Sequence, residues 1–385
     1  MRTLVIGLIG QYPFGGVVWD YIQYLTGFRK LGHDVHYLED TGVWPYDPLK
    51  DSVTDDCSYH VGRLAEIMAA FGLGERWSYR NAATGEFFGE GESAARELVR
   101  NADLLVGVST AGWLEDYEIG VRHRMFIDGD PLFTQVRLVD APDDPYTRSL
   151  RAHDSHFTFG LNLGADDCLA PTAGIEWLPT VQPVDLDHWP FARTADSGAF
   201  TTVMNWVSYQ PLQWNGMTFG QKDASFQDFI ELPRHARQRL ELAMGQGIGR
   251  RRPSARLRDL GWRIVEPEQA IPTFADYRDF LAASRGEWSI AKHGYVAART
   301  GWFSCRTACY LACGRPAVVQ DTGWSRHLPA GSGLLGFTTL DECVAALDRV
   351  DADYRAQREA ARAFAEKHLD AARVCARLLA DAGLG

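Results

Sequence analysis

The sequence predicts an α/β protein built from two doubly wound halves, and three observations carry the prediction. Residues 3–9 form an apolar strand, residues 20–31 carry apolar side chains at helical spacing, and residues 35–38 form a second strand, which is a βαβ opening. A fresh strand starts at residues 200–206, FTTVMNW, as though the chain began again. Between them, residues 171–190 are rich in Pro and Trp and have little helical period, which marks a linker.

Each half is then read in order. Residues 10–18 are expected to be a glycine-containing loop, and Gly32 stops the first helix. Glu39 and Asp40 close the second strand, where a ribose-binding carboxylate would sit in a dinucleotide enzyme. Gly7, Gly10, Gly15 and Gly16 do not give GxGxxG in any frame, which disfavours a nicotinamide or flavin enzyme. Residues 59–71 and 92–100 read as helices. Residues 104–108 are a strand, followed by a loop with Ser109, Thr110 and Gly112. Residues 125–127 are a strand running into Asp128-Gly129-Asp130-Pro131. Carboxylates just past a strand end lie where open α/β sheets bind ligands. Asp128 and Asp130 are therefore the candidate catalytic residues, as a general base or for holding sugar hydroxyls; the alternative is that one of the two caps the following turn. His156 reads as a strand residue with a satisfied ring.

In the second half, residues 240–244, 262–265 and 288–291 are strands, and residues 277–283 a helix. Residues 249–263 are basic, with Arg250, Arg251 and Arg252, and read as a solvated face, being short and without interleaved aromatics. Residues 292–323 are the most informative stretch. Ser304 fits the N-cap of a helix, Gly314 its end, and Pro316 blocks continuation. A short apolar strand follows, then Gln320-Asp321-Thr322-Gly323. A helix N-terminus suits a diphosphate, and Arg306 and Thr307 would lie in its first turn, with Lys292 converging from the preceding loop. Residues 341–350 form a helix, and residues 354–382 one or two more.

This stretch resembles the donor half of GT-B glycosyltransferases. The similarity is to a bacterial group with the GWFSxR[ST]…YLAxGRPxVxQDTG block, here Gly301 to Ser304, Arg306, Thr307, Tyr310 to Ala312, Gly314 to Pro316 and Gln320 to Gly323. The resemblance implies two Rossmann-like domains facing each other across a cleft. Residues 1–184 would be the acceptor-side domain and 185–365 the nucleotide-sugar donor domain. Residues 366–385 would form a helix packing back on the first domain. It implies that Gly15 and Gly16 point across the cleft, and that Asn205 and Lys222 face the donor, with Lys222 offsetting charge on a departing nucleoside diphosphate. Ser304, Arg306, Thr307 and Lys292 would hold that diphosphate. Gln320, Asp321, Thr322 and Gly323 would hold the sugar. Many retaining members carry two glutamates ahead of the G-x-P turn. Gly301 and Cys309 stand at those positions here, which leaves the stereochemical course open.

The expected activity is metal-independent transfer of a hexose, glucose by default, from a UDP or dTDP sugar to a small-molecule acceptor such as a sugar, sugar phosphate or natural product. No cofactor is expected beyond the nucleotide sugar as co-substrate. A nucleotide-sugar epimerase or hydrolase, or a non-catalytic sugar-nucleotide binding protein, is the alternative.

Composition sets the remaining limits. Of 385 residues, 39 are basic and 50 acidic, a net charge of -11, which disfavours a nucleic-acid binder. No apolar run approaches the ~20 residues of a membrane span, and the start reads as a core strand, not a signal peptide. Seven cysteines at irregular spacing suggest reduced thiols and a cytoplasmic protein. Cys305, Cys309 and Cys313 share one helical face and read as small packing residues, not as a metal site.

Overall fold

The computed structural model describes residues 1–47, 52–109, 112–193, 198–247 and 252–385. Two sheets organise it. The first contains β1 (Arg2–Ile6), β2 (Asp34–Glu39), β3 (Trp77–Arg80), β4 (Phe87–Gly89), β5 (Leu104–Val108), β6 (His123–Asp128), β7 (Ser155–Thr158) and β8 (Trp177–Pro179), in the order β8-β7-β6-β5-β1-β2-β3-β4. All neighbours are parallel except the edge pair β3 and β4. The central strands are apolar on both faces because helices cover both, so Leu4, Val5, Leu105 and Val106 are fully buried. Registers such as Ile6 opposite Leu38 and Val5 opposite Val106 bring the carboxyl ends of β1, β2 and β5 to one rim.

The second sheet contains β9 (Ala199–Val207), β10 (Arg239–Gly247), β11 (Arg263–Val265), β12 (Gly286–Ser289), β13 (Ala317–Gln320) and β14 (Leu334–Phe337), all parallel, in the order β11-β10-β9-β12-β13-β14. The order reverses at β9 and β12, the crevice at which doubly wound sheets bind ligands. Its own core gathers Phe200, Phe226, Trp262, Trp288 and Leu347.

Five helices matter for the site. They are α1 (Gly15–Lys30), α2 (Phe274–Ala283), α3 (Cys305–Ala312), α4 (Tyr354–His368) and α5 (Ala371–Asp381). Helix α1 is buried nearly all round. It lies between the first sheet and two later helices, and Arg29 and Lys30 complement its carboxyl end. Thr273 and Asp276 form a capping box that starts α2. Gly314, at φ +68°, ends α3 in a left-handed conformation. Helix α5 returns to the first half, where a Cβ on Gly27 would stand 2.7 Å from Cys375 Sγ.

Several expectations shift. The loop expected over residues 10–18 ends early, because Gly15 and Gly16 already belong to α1. A Cβ on Gly15 would lie 2.4 Å from Cβ of Tyr277 in α2, so the glycine permits close packing of the two halves. The residue 171–190 segment is not wholly a linker, since Trp177–Pro179 joins the sheet edge, where proline is tolerated. Residues 354–382 form two helices. Thr110, Arg250 and Arg251 lie outside the described residues. Arg252 pairs with Glu266, while Arg256 and Arg258 are exposed on a short helix, Ser254–Asp259.

Candidate active site between the two sheets

The loop after β6 is the meeting point of the two halves. Asp130 accepts from Lys292 Nζ at 3.0 Å and from the hydroxyls of Tyr209 and Tyr295, all three from the second half. Lys292 also donates to Tyr209 and lies 5.1 Å from the ring centre of Phe133. Asp130 keeps 34% of its side chain exposed, so it remains reachable.

Asp128 takes the second of the two expected roles, that of holding the following turn. Its Oδ1 accepts from the Asp130 backbone N–H at 3.0 Å and Thr134 Oγ1 at 2.7 Å. Its Oδ2 accepts from Gln135 Nε2 at 2.8 Å and Thr158 Oγ1 at 2.9 Å. With four donors on its oxygens and 1% exposure, Asp128 anchors the turn and has no room for an acceptor hydroxyl. Burial pushes its carboxyl above the ordinary range, against those hydrogen bonds.

Arg306 is placed otherwise than expected. It sits in the first turn of α3 but turns inward, donating from Nε to Glu287 Oε1 at 2.7 Å and from Nη1 to the Val203 carbonyl at 2.6 Å. A diphosphate would have to compete with a fully buried carboxylate for this guanidinium. Only Nη2 is without a hydrogen-bond partner. The arginine stitches β9, β12 and α3 together, and its charge reaches the cleft rather than its hydrogen bonds.

That charge is felt by Lys222, at the start of a short helix, Lys222–Phe226. Burial, then Arg306 and Lys292, hold the Lys222 ammonium well below the ordinary lysine range. Three basic residues from separate segments therefore act on one another here, with Lys292 held by Asp130 and Arg306 by Glu287.

Ser304, Thr307 and Gln320 line a small cavity at the carboxyl ends of β12 and β13, together with Ser289, Trp302 and Trp324. Thr307 Oγ1 is buried there without a partner. Ser304 is the N-cap of α3, although its hydroxyl makes no capping bond. Gln320 Oε1 accepts from the Ala291 N–H at 3.1 Å. The rest of the 320–323 loop is largely occupied with itself. Thr322 Oγ1 donates to the Trp302 carbonyl at 2.8 Å. Asp321 accepts from the Gly323 N–H at 2.8 Å and from Ser325 Oγ at 2.5 Å, and Gly323 adopts φ +99°. These bonds engage both carboxylate oxygens of the half-buried Asp321, so a sugar hydroxyl would have to share them. Asn205 is exposed near the end of β9, and Gly16 lies half-buried beside Tyr277 at the interdomain contact.

Sequence reasoning passed over Asp20. It lies on α1, one turn after Gly16, where Cys305 and Arg306 of the first turn of α3 act on its carboxyl. Burial pushes its carboxyl up to about 7, against the pull of Cys305 and Arg306. The signal was available: an acid on a helix otherwise buried nearly all round. Tyr209 and Tyr295 were missed as well, although Tyr295 stands three residues after Lys292. Glu39, weighed as a ribose ligand, instead accepts from the Gly10 and Gln11 N–H groups at 2.7 and 2.5 Å and from Tyr37 Oη at 2.7 Å. It clamps the first loop and is fully buried. Among the described residues, no group of three His, Cys, Asp or Glu is positioned for a metal, and the cysteine face of α3 packs toward α1, with Cys309 Sγ 3.9 Å from Gln23 Nε2.

Two Rossmann-like domains whose strand ends and helix termini face each other across a shared site define the GT-B fold. Solved structures of the same fold include an alpha-glucosyltransferase in complex with UDP and a 13-mer DNA containing a HMU base, at TM-score 0.57 and 12% identity, covering 100% of this chain and 99% of that one. AviGT4, a glycosyltransferase involved in avilamycin A biosynthesis, gives 0.52 and 12%, covering 100% and 97%. Anabaena Alr3699/HepE in complex with UDP and glucose gives 0.52 and 13%, covering 100% and 99%. Residues 244–380 match the family model described as Glycosyl transferase-like. No curated protein matches the chain.

Proposed function

We propose that this protein is a glycosyltransferase that moves a hexose, glucose by default, from a UDP or dTDP sugar to a small-molecule acceptor. The observation that carries the reading is that Lys292, 3.0 Å from Asp130 of the other domain, and the cavity lined by Ser304 and Thr307 at the amino end of α3 lie where the two halves meet. The helix end and the cations offset the charge of a leaving nucleoside diphosphate without calling on a metal or a further cofactor. The acceptor oxygen bonds to the anomeric carbon as the bond from that carbon to the diphosphate breaks. The electron pair leaves with the diphosphate. The hydroxyl proton passes to Asp130 once Lys292 turns from that carboxylate to the phosphates. Free cysteines and the lack, among the described residues, of a helix able to cross a membrane support work in the cytoplasm.

UDP heads the trial because two of the structural neighbours are complexes with it. The test is a thermal-shift titration with UDP, dTDP and their glucose conjugates, with and without EDTA, followed by an assay of nucleotide release with and without acceptor. Stabilisation by one nucleotide family and acceptor-dependent release are expected. No stabilisation by any nucleoside diphosphate would defeat the reading. Loss of activity in EDTA with recovery in manganese would defeat the metal-free part.

A further inference from the structure

The two sides of the cleft differ in what they expose. The second domain contributes the basic residues Lys222, Lys292 and Arg306. In the first domain, the segments that follow β1, β2 and β5 form a rim at the carboxyl ends of the strands. These segments are tied into one platform. Gln11 Nε2 donates to the Trp44 carbonyl at 3.1 Å, and the Trp113 N–H donates to the Asp40 carbonyl at 2.6 Å. The Trp113 side chain lies under Gly42, where a Cβ would come within 2.9 Å of it, and Glu39 fixes the Gly10-Gln11 turn from beneath. Gly15, immediately after the first segment, touches Tyr277 of the other domain, so the platform adjoins the cleft.

This platform is apolar where it meets solvent. Eleven large apolar residues are exposed among those described, and five of them, Tyr12, Phe14, Val43, Trp44 and Val53, fall on the segments after β1 and β2. Trp44 and Phe14 are each 49% exposed. Single exposed apolar residues are ordinary, but a concentration on one rim marks a binding surface. The charge pattern narrows what binds. The described residues 7–14, 40–47, 52–57 and 112–118 contain no Lys or Arg, yet hold Asp55, Asp56, Glu115, Asp116 and Glu118. Arg80, Arg100 and Arg148 reach this rim from outside these segments and are engaged, Arg80 by Asp40 at 3.1 Å and Asp116 at 2.7 Å, Arg100 by Glu118 at 2.7 Å and Arg148 by Glu115 at 3.4 Å.

We infer that the acceptor is a neutral molecule with a flat apolar face, laid on the Phe14 and Trp44 side of the rim, and not a sugar phosphate. The inference rests on the glycosyltransferase reading and names the substrate class of the same site. Among the described residues of this rim, an anionic acceptor would meet acidic side chains and no unpaired cation, whereas an aromatic or polycyclic alcohol would cover the exposed rings.

The experiment uses the full chain with its best nucleotide sugar. Neutral aromatic alcohols of one, two and three fused rings, 2-naphthol among them, are compared with glucose 6-phosphate. Binding is followed by quenching of tryptophan fluorescence and transfer by product mass. At least one aromatic alcohol should saturate binding and accept sugar, with glucose 6-phosphate at least tenfold poorer on both measures. Trp44→Ala and Phe14→Ala, each at an exposed position, should weaken the aromatic alcohol at least fivefold. The inference is overturned if glucose 6-phosphate is preferred, if no aromatic alcohol binds, or if both substitutions leave aromatic binding unchanged. Nucleotide stabilisation of the unaltered chain is read separately. Its absence defeats the glycosyltransferase reading, while its presence alongside any of those outcomes defeats only the acceptor class.

Discussion

Arg306 and Glu287 form an ion pair between α3 and β12, Nε to Oε1 at 2.7 Å, with side chains 8% and 0% exposed. Removing one partner strands the other in the interior. Arg306→Ala should therefore cost about 3–5 kcal/mol of stability. Urea unfolding measures it, and a variant as stable as the parent would contradict a structural role for the pair.

Asp128 and Asp130 should separate cleanly. Asp128→Asn replaces an acceptor oxygen with a donor facing the donors of Gln135, Thr134 and Thr158, which should cost about 1–3 kcal/mol. Asp130→Asn keeps an oxygen to accept from Lys292, Tyr209 and Tyr295, so it should still fold and bind nucleotide yet lower transfer by about 100-fold or more. Equal transfer by Asp130→Asn and the parent would remove it from the mechanism.

Lys222 should report the arrival of the diphosphate. Its folded-state pKa is depressed, so the folded chain binds fewer protons than the unfolded one between the two values, and stability rises with pH across that window. A diphosphate beside the amine reverses the shift. UDP binding should take up a proton there and weaken as pH rises. Calorimetry in two buffers of different ionisation enthalpy gives the proton count, and a value of zero for both the parent and Lys222→Met would place the ligand elsewhere.

Asp20 and Glu39 act in the opposite sense. Burial raises both carboxyls to about 7, from ordinary values of 3.8 and 4.5. The folded chain then holds more protons than the unfolded one across that interval. Their contribution is fully present below the ordinary values and is lost as pH rises through about 7. Between pH 5 and pH 8 the stability of Asp20→Asn should fall less than that of the parent. Identical drops in urea midpoints would exclude Asp20 as a source.

Gly15→Ala and Gly16→Ala should differ although the residues are adjacent. A Cβ on Gly15 would stand 2.4 Å from Tyr277 Cβ and 3.2 Å from the Thr273 carbonyl oxygen, neither of which can swing aside. One on Gly16 would be no closer than 3.8 Å to the Tyr277 ring. A loss of about 1–3 kcal/mol is expected for the first and little for the second. Thermal unfolding of the two variants decides it.

The strands and α3 were legible because they depend on local signals. Apolar runs mark β5 and β13, and the Gly314 to Pro316 turn marks the end of α3. The edge strand Trp177–Pro179 was hidden by its prolines, whose tolerance depends on having no partner on one side. The start of α1 was misplaced because two glycines resemble a loop until Tyr277 is seen against them. Within the site, spacing showed Lys292, Arg306 and Asp130 but not their direction. Glu287 precedes Arg306 by nineteen residues, on the neighbouring strand, so only tertiary structure reveals that the arginine is drawn inward.

The main chain passes between the halves twice, and the two passages are laced together. Val184 N–H donates to the Leu369 carbonyl at 2.7 Å, and the Ala371 N–H donates to the Val184 carbonyl at 2.9 Å. Crossings bound side by side behave as one pivot. Any parting of the halves is thereby confined to a swing about that line, widest at the far lip, where substrate must enter and product must leave.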